Sequence, residues 1–380
     1  MRKLLVVAVL FLTACSKNPN IIEPSPLPEF EAEYRVEQVW RKNAGAGVAD
    51  SRMQLRPAAT GRSVFAADVE GHVSAFARDK GHRRWRRATD YRIAGGVEAA
   101  YGMVLFGTRD GEVVALSADN GDERWRARVG SEVLAAPATD GNQVVVQTLD
   151  GQLVSLNADT GEQRWSFNVS VPVLTLRGTS APVIANDRVL AAFASGQLVA
   201  LQSAGGVQAW QHQVAEPTGR SELDRLVDVD ANLVVADGAV FAATFQGKLA
   251  VVDLNNGRPY WKRDMSTHVV MDLGSSALFV ADDESRVHAI QQRTGDTLWR
   301  QDKLRGRRLA GVVVHQQLPV AGDQDGYLHW LDASSGKPVA RRRHAGAGFA
   351  GAPVVRDDML YVLGRDGALA AYRLEPKDAS

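Results

Sequence analysis

The chain has 380 residues and 44 Lys and Arg against 44 Asp and Glu, so its formal net charge is zero and no global field draws it to nucleic acid or an anionic membrane. Hydrophobic content of 45% and charged content of 23% are ordinary for a soluble globular protein. The single cysteine, Cys15, excludes an intramolecular disulfide, so stability rests on burial.

Residues 1–14 read as a targeting segment. Arg2 and Lys3 precede an unbroken apolar run from Leu4 to Leu12, which is too short to span a bilayer. The run ends in Leu12-Thr13-Ala14-Cys15, which resembles a bacterial lipoprotein cleavage box. That resemblance implies that Cys15 is lipidated and becomes the first mature residue. Ser16 in place of Asp resembles the signal for outer-membrane retention. More than one acyl chain would make the anchoring stable. Residues 15–33 then form a lipidated cysteine and a flexible spacer, because Pro19, Pro24, Pro26 and Pro28 among polar residues cannot build a core or a central strand.

The remainder, 34–380, is made of relatives of one stretch, DGQLVSLNADTGEQRW at 150–165. An Asp-Gly turn flanked by alternating hydrophobics is a hairpin signal, since both turn residues must accept positive φ. The first-turn glycine recurs at Gly71, Gly111, Gly151, Gly196, Gly247, Gly326 and Gly367, with Ser285 in the equivalent place. A second turn follows at Gly81, Gly121, Gly161, Gly206, Gly257, Gly295 and Gly336. Behind it stands Trp85, Trp125, Trp165, Trp210, Trp261 or Trp299, with Ala340 in the seventh repeat. Eight repeats at a spacing of 38–51 residues indicate a radial or stacked β array. Four short strands per repeat fit propeller blades better than the shorter rungs of a solenoid.

The ends of the chain favour a ring. The eighth repeat stops before its tryptophan strand, while the first folded stretch is a lone strand carrying Trp40. The expected fold is therefore all-β: an eight-bladed propeller of four-stranded blades, closed by the N-terminal strand. Each tryptophan is expected to dock its outer strand on the neighbouring blade, where an indole buries a large area at low entropy cost.

Two consecutive interblade connections are longer than the rest, at 171–179 and 215–230. Connections of the same kind in adjacent blades emerge on one face, and long loops on a rigid scaffold are where function is grafted. The first carries Val173, Leu174, Leu176 and Arg177; the second carries Asp224, Asp228 and Asp230. The bland alternative is that Arg177 pairs internally with one of those carboxylates and the loops only seal the ring.

Catalytic patterns are absent from the sequence. The eight histidines have no metal-ligand spacing, Asp282-Asp283-Glu284 lacks the offsets of a calcium loop, and no nucleophile elbow or phosphate loop occurs. The basic runs at Arg83–Arg87, Arg305–Arg308 and Arg341–Arg343 read as solvated faces, with anionic lipid contact as the alternative.

The units ADNGDERW (118–125) and ADTGEQRW (158–165) resemble the tryptophan-docking repeats of pyrroloquinoline quinone enzyme propellers. Those enzymes hold a metal with the quinone and often an adjacent cysteine pair, which this chain lacks. With its lipoprotein box, short Pro-containing tether, LTLRGTSAPV (174–183) and RLVDVDANLVV (225–235), the sequence more closely resembles the BamB family, lipoprotein subunits of the outer-membrane β-barrel assembly machinery. The resemblance implies a non-enzymatic scaffold without cofactor or metal, anchored to the periplasmic side of the outer membrane. It implies contacts to the periplasmic domains of BamA through Leu174, Leu176, Arg177, Asp228 and Asp230, and raises direct binding of unfolded precursors. A quinone-dependent dehydrogenase, or an envelope propeller with another partner, are the alternatives.

Overall fold

Each repeat folds as an antiparallel four-stranded sheet, and eight such sheets form the ring in a computed structural model of the chain. The structure describes residues 22–48, 53–172, 180–216, 231–344 and 346–377, and among these every regular element is a strand. Blades 1 to 7 span residues 58–88, 93–128, 138–168, 183–213, 234–264, 272–301 and 312–343. Blade 8 combines 354–376 with the N-terminal strand Tyr34–Asn43. That strand pairs antiparallel with Ala368–Pro376, from Tyr34 opposite Pro376 to Asn43 opposite Ala368. The expected closure by the N-terminal strand is what the structure contains.

Burial explains the sequence pattern within a blade. The two middle strands are covered on both faces by neighbouring blades, so they read as continuous apolar runs such as Ser63–Ala67 and Met103–Thr108, buried throughout. The core accordingly lies between blades. One cluster joins Leu105 and Val113 of blade 2 to Val144 and Val154 of blade 3; another joins Leu190 and Ala200 of blade 4 to Val240 and Ala250 of blade 5. Outer strands keep one open edge and are polar. Arg83–Ala88 (RRWRRA) is exposed except at Trp85, a composition that discourages edge-to-edge pairing.

The recurring tryptophans lock each blade to the next. The indole Nε1 of Trp40, Trp85, Trp125, Trp165, Trp210, Trp261 and Trp299 donates to the carbonyl of Arg78, Ala118, Ala158, Ser203, Leu254, Gln292 and Ala333, at 2.7–3.0 Å. Each ring lies on the second-turn glycine of the following blade. At Gly161 the backbone has φ +75°, and a Cβ there would stand 2.7 Å from Trp125 Cε3. Both conditions exclude a side chain. Ala340 has no indole because the closing blade takes its outer strand from the N-terminus, so no turn glycine exists there to receive one.

Antiparallel order fixes the two faces of the ring. Interblade connections and middle turns emerge on one face, here the connection face; the remaining turns emerge on the other.

Candidate functional site

The two long connections leave from Gln163–Asn168 and Gln208–Gln213 and re-enter at Val183–Ala185 and Val234–Ala236, so their described ends lie on the connection face. The predicted partner-binding residues Leu174, Leu176, Arg177, Asp228 and Asp230 lie outside the described residues, as does Cys15. What is described is the frame that carries them. Ser180, fully buried, donates from Oγ to the carbonyl of Ala231 at 3.1 Å. The C-terminal ends of the two connections are thereby fastened together across the blade 4–blade 5 junction. Ala215 and Leu233, flanking the second connection, are also buried. Sequence reading missed Ser180 and Ala231, although both stand inside the two segments singled out.

Inside these connections the inner strands surround a cavity of about 480 Å³, whose wall includes Pro182 and Leu233 beside Arg56, Glu98 and His268. Arg56 and Glu98 are half-buried in the cavity wall. Burial lowers the Arg56 pKa, opposed by the charges of Glu98 and Asp272. Burial raises the Glu98 carboxyl, opposed by the amide of Ala99 and by Arg56. Asp272 is likewise raised by burial, although its carboxylate accepts the amides of Val314 and Leu273, each at 2.8 Å. Arg56 Nε is buried without a hydrogen-bond partner. The cavity wall thus carries a guanidinium and a carboxylate, with the Asp272 charge also acting on Arg56.

A second ring of polar groups caps the middle turns. Thr108, Thr148 and Thr244 accept the amides of Glu112, Gln152 and Lys248 on Oγ. Asp68, Asp282 and Asp323 do the same with one carboxylate oxygen and hold a histidine with the other. Asp68 Oδ2 lies 3.0 Å from His72 Nδ1, Asp282 Oδ2 2.9 Å from His288 Nε2 and Asp323 Oδ2 2.8 Å from His329 Nε2. Burial alone would raise the Asp323 carboxyl, but the His329 hydrogen bond and charge, the Tyr327 amide and Arg307 pull it below its ordinary value. Asp68, Glu70 and His72 bring three potential metal ligands together. Both Asp68 oxygens are already committed, to the amides of Glu70 and His72 and to the amide of Ala46 with His72 Nδ1. The group therefore reads as a turn cap.

The basic runs divide into two kinds. Arg83, Arg84 and Arg86 are exposed, as expected of solvated faces. Arg307 is not: at 4% exposure it donates from Nε to Asp323 at 2.7 Å, from Nη2 to Asp325 at 2.6 Å and from Nη1 to the carbonyl of Ser25 at 2.9 Å. Residues 22–33, read from the sequence as part of a spacer, run extended along blade 7. The Ser25 amide donates to Arg305 O and the Glu33 amide to Val339 O, both at 2.9 Å. Arg341 donates to the carbonyl of Pro28 at 2.9 Å and stacks over Phe30, 5.3 Å from the ring centre. The segment also carries four exposed glutamates, at 23, 29, 31 and 33.

Comparison with known proteins agrees with this geometry. A family model described as outer membrane protein assembly factor BamB matches residues 69–301 and 283–379. The outer membrane protein assembly factor BamB of Alkalilimnicola ehrlichii is 47% identical over 369 residues, covering 97% of this chain and 96% of the relative. The crystal structure of BamB from Moraxella catarrhalis superposes with a TM-score of 0.82 at 27% identity, over 89% of this chain and all of that one. The quinohemoprotein alcohol dehydrogenase of Comamonas testosteroni has a TM-score of 0.71 at 14% identity, over 89% of this chain and 76% of that one, a likeness of fold alone. A closed eight-bladed ring with docked tryptophans, matched by family model and relatives over most of its length, belongs to the outer membrane protein assembly factor BamB family.

Proposed function

We propose that the chain is a non-enzymatic scaffold lipoprotein of the outer-membrane β-barrel assembly machinery. It is anchored through Cys15 on the periplasmic side of the outer membrane and presents its connection face to the periplasmic domains of BamA. Leu174 and Leu176 are the proposed apolar contacts, and Arg177, Asp228 and Asp230 the proposed charged ones. The observation that carries this reading is the Ser180–Ala231 hydrogen bond, which joins the roots of the two connections into one rigid platform. Family membership supports the assembly role, since its relatives bear the name of outer membrane protein assembly factors. Direct capture of unfolded precursors is a further part of the proposal, tested by saturable binding of precursor peptides to the purified ring.

The interface is tested by a pull-down from solubilised envelopes. Wild type should recover BamA. Arg177→Glu should weaken the interaction by about 2–5 kcal/mol, as expected for one partner of a buried hydrogen-bonded charge pair. Asp228→Ala/Asp230→Ala should weaken it as well. Equal recovery by all three would move the site elsewhere on the ring, and failure of wild type would sink the BamA reading. The partly satisfied Arg56 in a cavity, on a fold shared with a quinohemoprotein dehydrogenase, favours one second reading. Quinone absorbance in the purified protein would support it.

A further inference from the structure

We propose that the groove between the outer strand of blade 8, Tyr34–Asn43, and that of blade 1, Arg83–Ala88, is a docking site for an acidic, extended segment of another protein. The precedent is internal. On blade 7 the outer strand Pro338–Arg343 receives residues 22–33 of the same chain through two devices. The first is a bulge: Trp330 pairs with Ala340 and Leu331 with Pro338, so Val339 is the extra residue, and its carbonyl accepts the Glu33 amide. The second is Arg341, two residues on, which binds a carbonyl and a ring of the segment.

Blade 1 repeats both devices with none of the described residues seated on them. Ala75 pairs with Trp85 and Phe76 with Arg83, so Arg84 is the extra residue and Arg86 stands where Arg341 stands. Trp85 turns toward blade 2, donating to Ala118, so Arg86 projects from the opposite face, toward blade 8. Across the groove Trp40 turns toward blade 1, and Lys42, two residues on, shares that side. Lys42, Arg83, Arg84 and Arg86 are exposed, and their charged groups have no hydrogen bond or ion pair among the described residues. Glu37 on the blade 8 strand is paired with Arg373, and Asp122 of blade 2 with Arg87.

The other blades differ at the Arg341 position. Blades 3 and 4 have Ser166 and Gln211 there. Arg126 of blade 2 meets the Tyr91 hydroxyl, Lys262 of blade 5 the carbonyl of Gln213, and Arg300 of blade 6 pairs with Asp302. Arg41 of blade 8 donates to the carbonyl of His344. Among the described residues, Arg86 of blade 1 is thus the unengaged cation at this position, with Lys42, Arg83 and Arg84 beside it. An extended segment rich in Glu or Asp neutralises those charges and pairs with the edge, as in β-strand addition.

The test uses the full-length chain purified in detergent, whose blade 7 site is filled by its own residues 22–33, and a fluorescent peptide with the sequence of that segment. Fluorescence anisotropy should show saturable binding that weakens at least tenfold in Arg84→Glu/Arg86→Glu. It should also weaken when the four peptide glutamates become glutamine, and as salt is raised. Absence of saturable binding to wild type overturns the proposal. So does binding that survives Arg84→Glu/Arg86→Glu but is lost in Arg341→Glu, because the peptide is then exchanging at blade 7. Thermal melts of the variants confirm that the ring is intact.

Discussion

His344 shows how one buried side chain couples the ring to acidity. It is 3% exposed, stacked on Phe349, with Nδ1 2.9 Å from the Tyr372 hydroxyl and Nε2 3.0 Å from the Ala368 carbonyl. Those partners fit the neutral ring, Nε2–H donating and Nδ1 accepting. Burial, with Arg41 nearby, pushes its pKa down from 6.5 to about 4, against the pull of the Ala368 carbonyl. The unfolded chain therefore binds this proton at higher pH than the folded one. Stability from this site is complete above about pH 6.5 and is lost as pH falls toward 4. Between pH 7 and pH 4.5, wild type should lose roughly 2–3 kcal/mol more than His344→Gln in urea titrations. Equal losses would remove His344 from the acid response.

At the scale of elements, the outer strand is held by one indole and one glycine, and the pair is more demanding than either residue alone. Gly161→Ala adds positive-φ strain and drives a methyl against Trp125, so it should cost about 2–4 kcal/mol in denaturant unfolding. Gly61→Ala is the control, since a Cβ there meets nothing within 4 Å. This lock was readable in the sequence because its parts recur at fixed spacing, and so were the four strands per blade. Ala340 breaks the tryptophan series, and the missing turn of the closing blade explains it. The seat of residues 22–33 was hidden for a different reason. Arg307 meets Ser25 across 282 positions, and neither a proline-rich stretch nor an arginine run announces such a partner by local pattern. Of the candidate site, the location of the two long connections was legible from spacing. The bond between Ser180 and Ala231 was not, since a lone serine carries no signal of what it will meet.

Across the whole molecule, stability is that of a closed chain of interfaces, in which each blade is covered only when both neighbours are present. Removing residues 22–43 deletes the strand opposite Ala368–Pro376, the indole of Trp40 and the cover over Arg307. Such a chain should lose cooperative melting and self-associate through the exposed edge of blade 8, seen as dimers or larger species by light scattering. A synthetic 34–43 peptide added in excess should restore a monomer; a monomeric, cooperatively melting truncation would contradict closure as the source of stability. Closure also sets an order of events. Tyr34 finds Pro376 only after the intervening chain exists, a contact whose loop entropy is roughly 5 kcal/mol by length alone. Synthesis runs from the N-terminus, so the first folded strand waits unpaired for the last. A chain that stops short of Ala368–Pro376 has no partner for it, and ring closure is in effect a test of whether synthesis has passed the last blade.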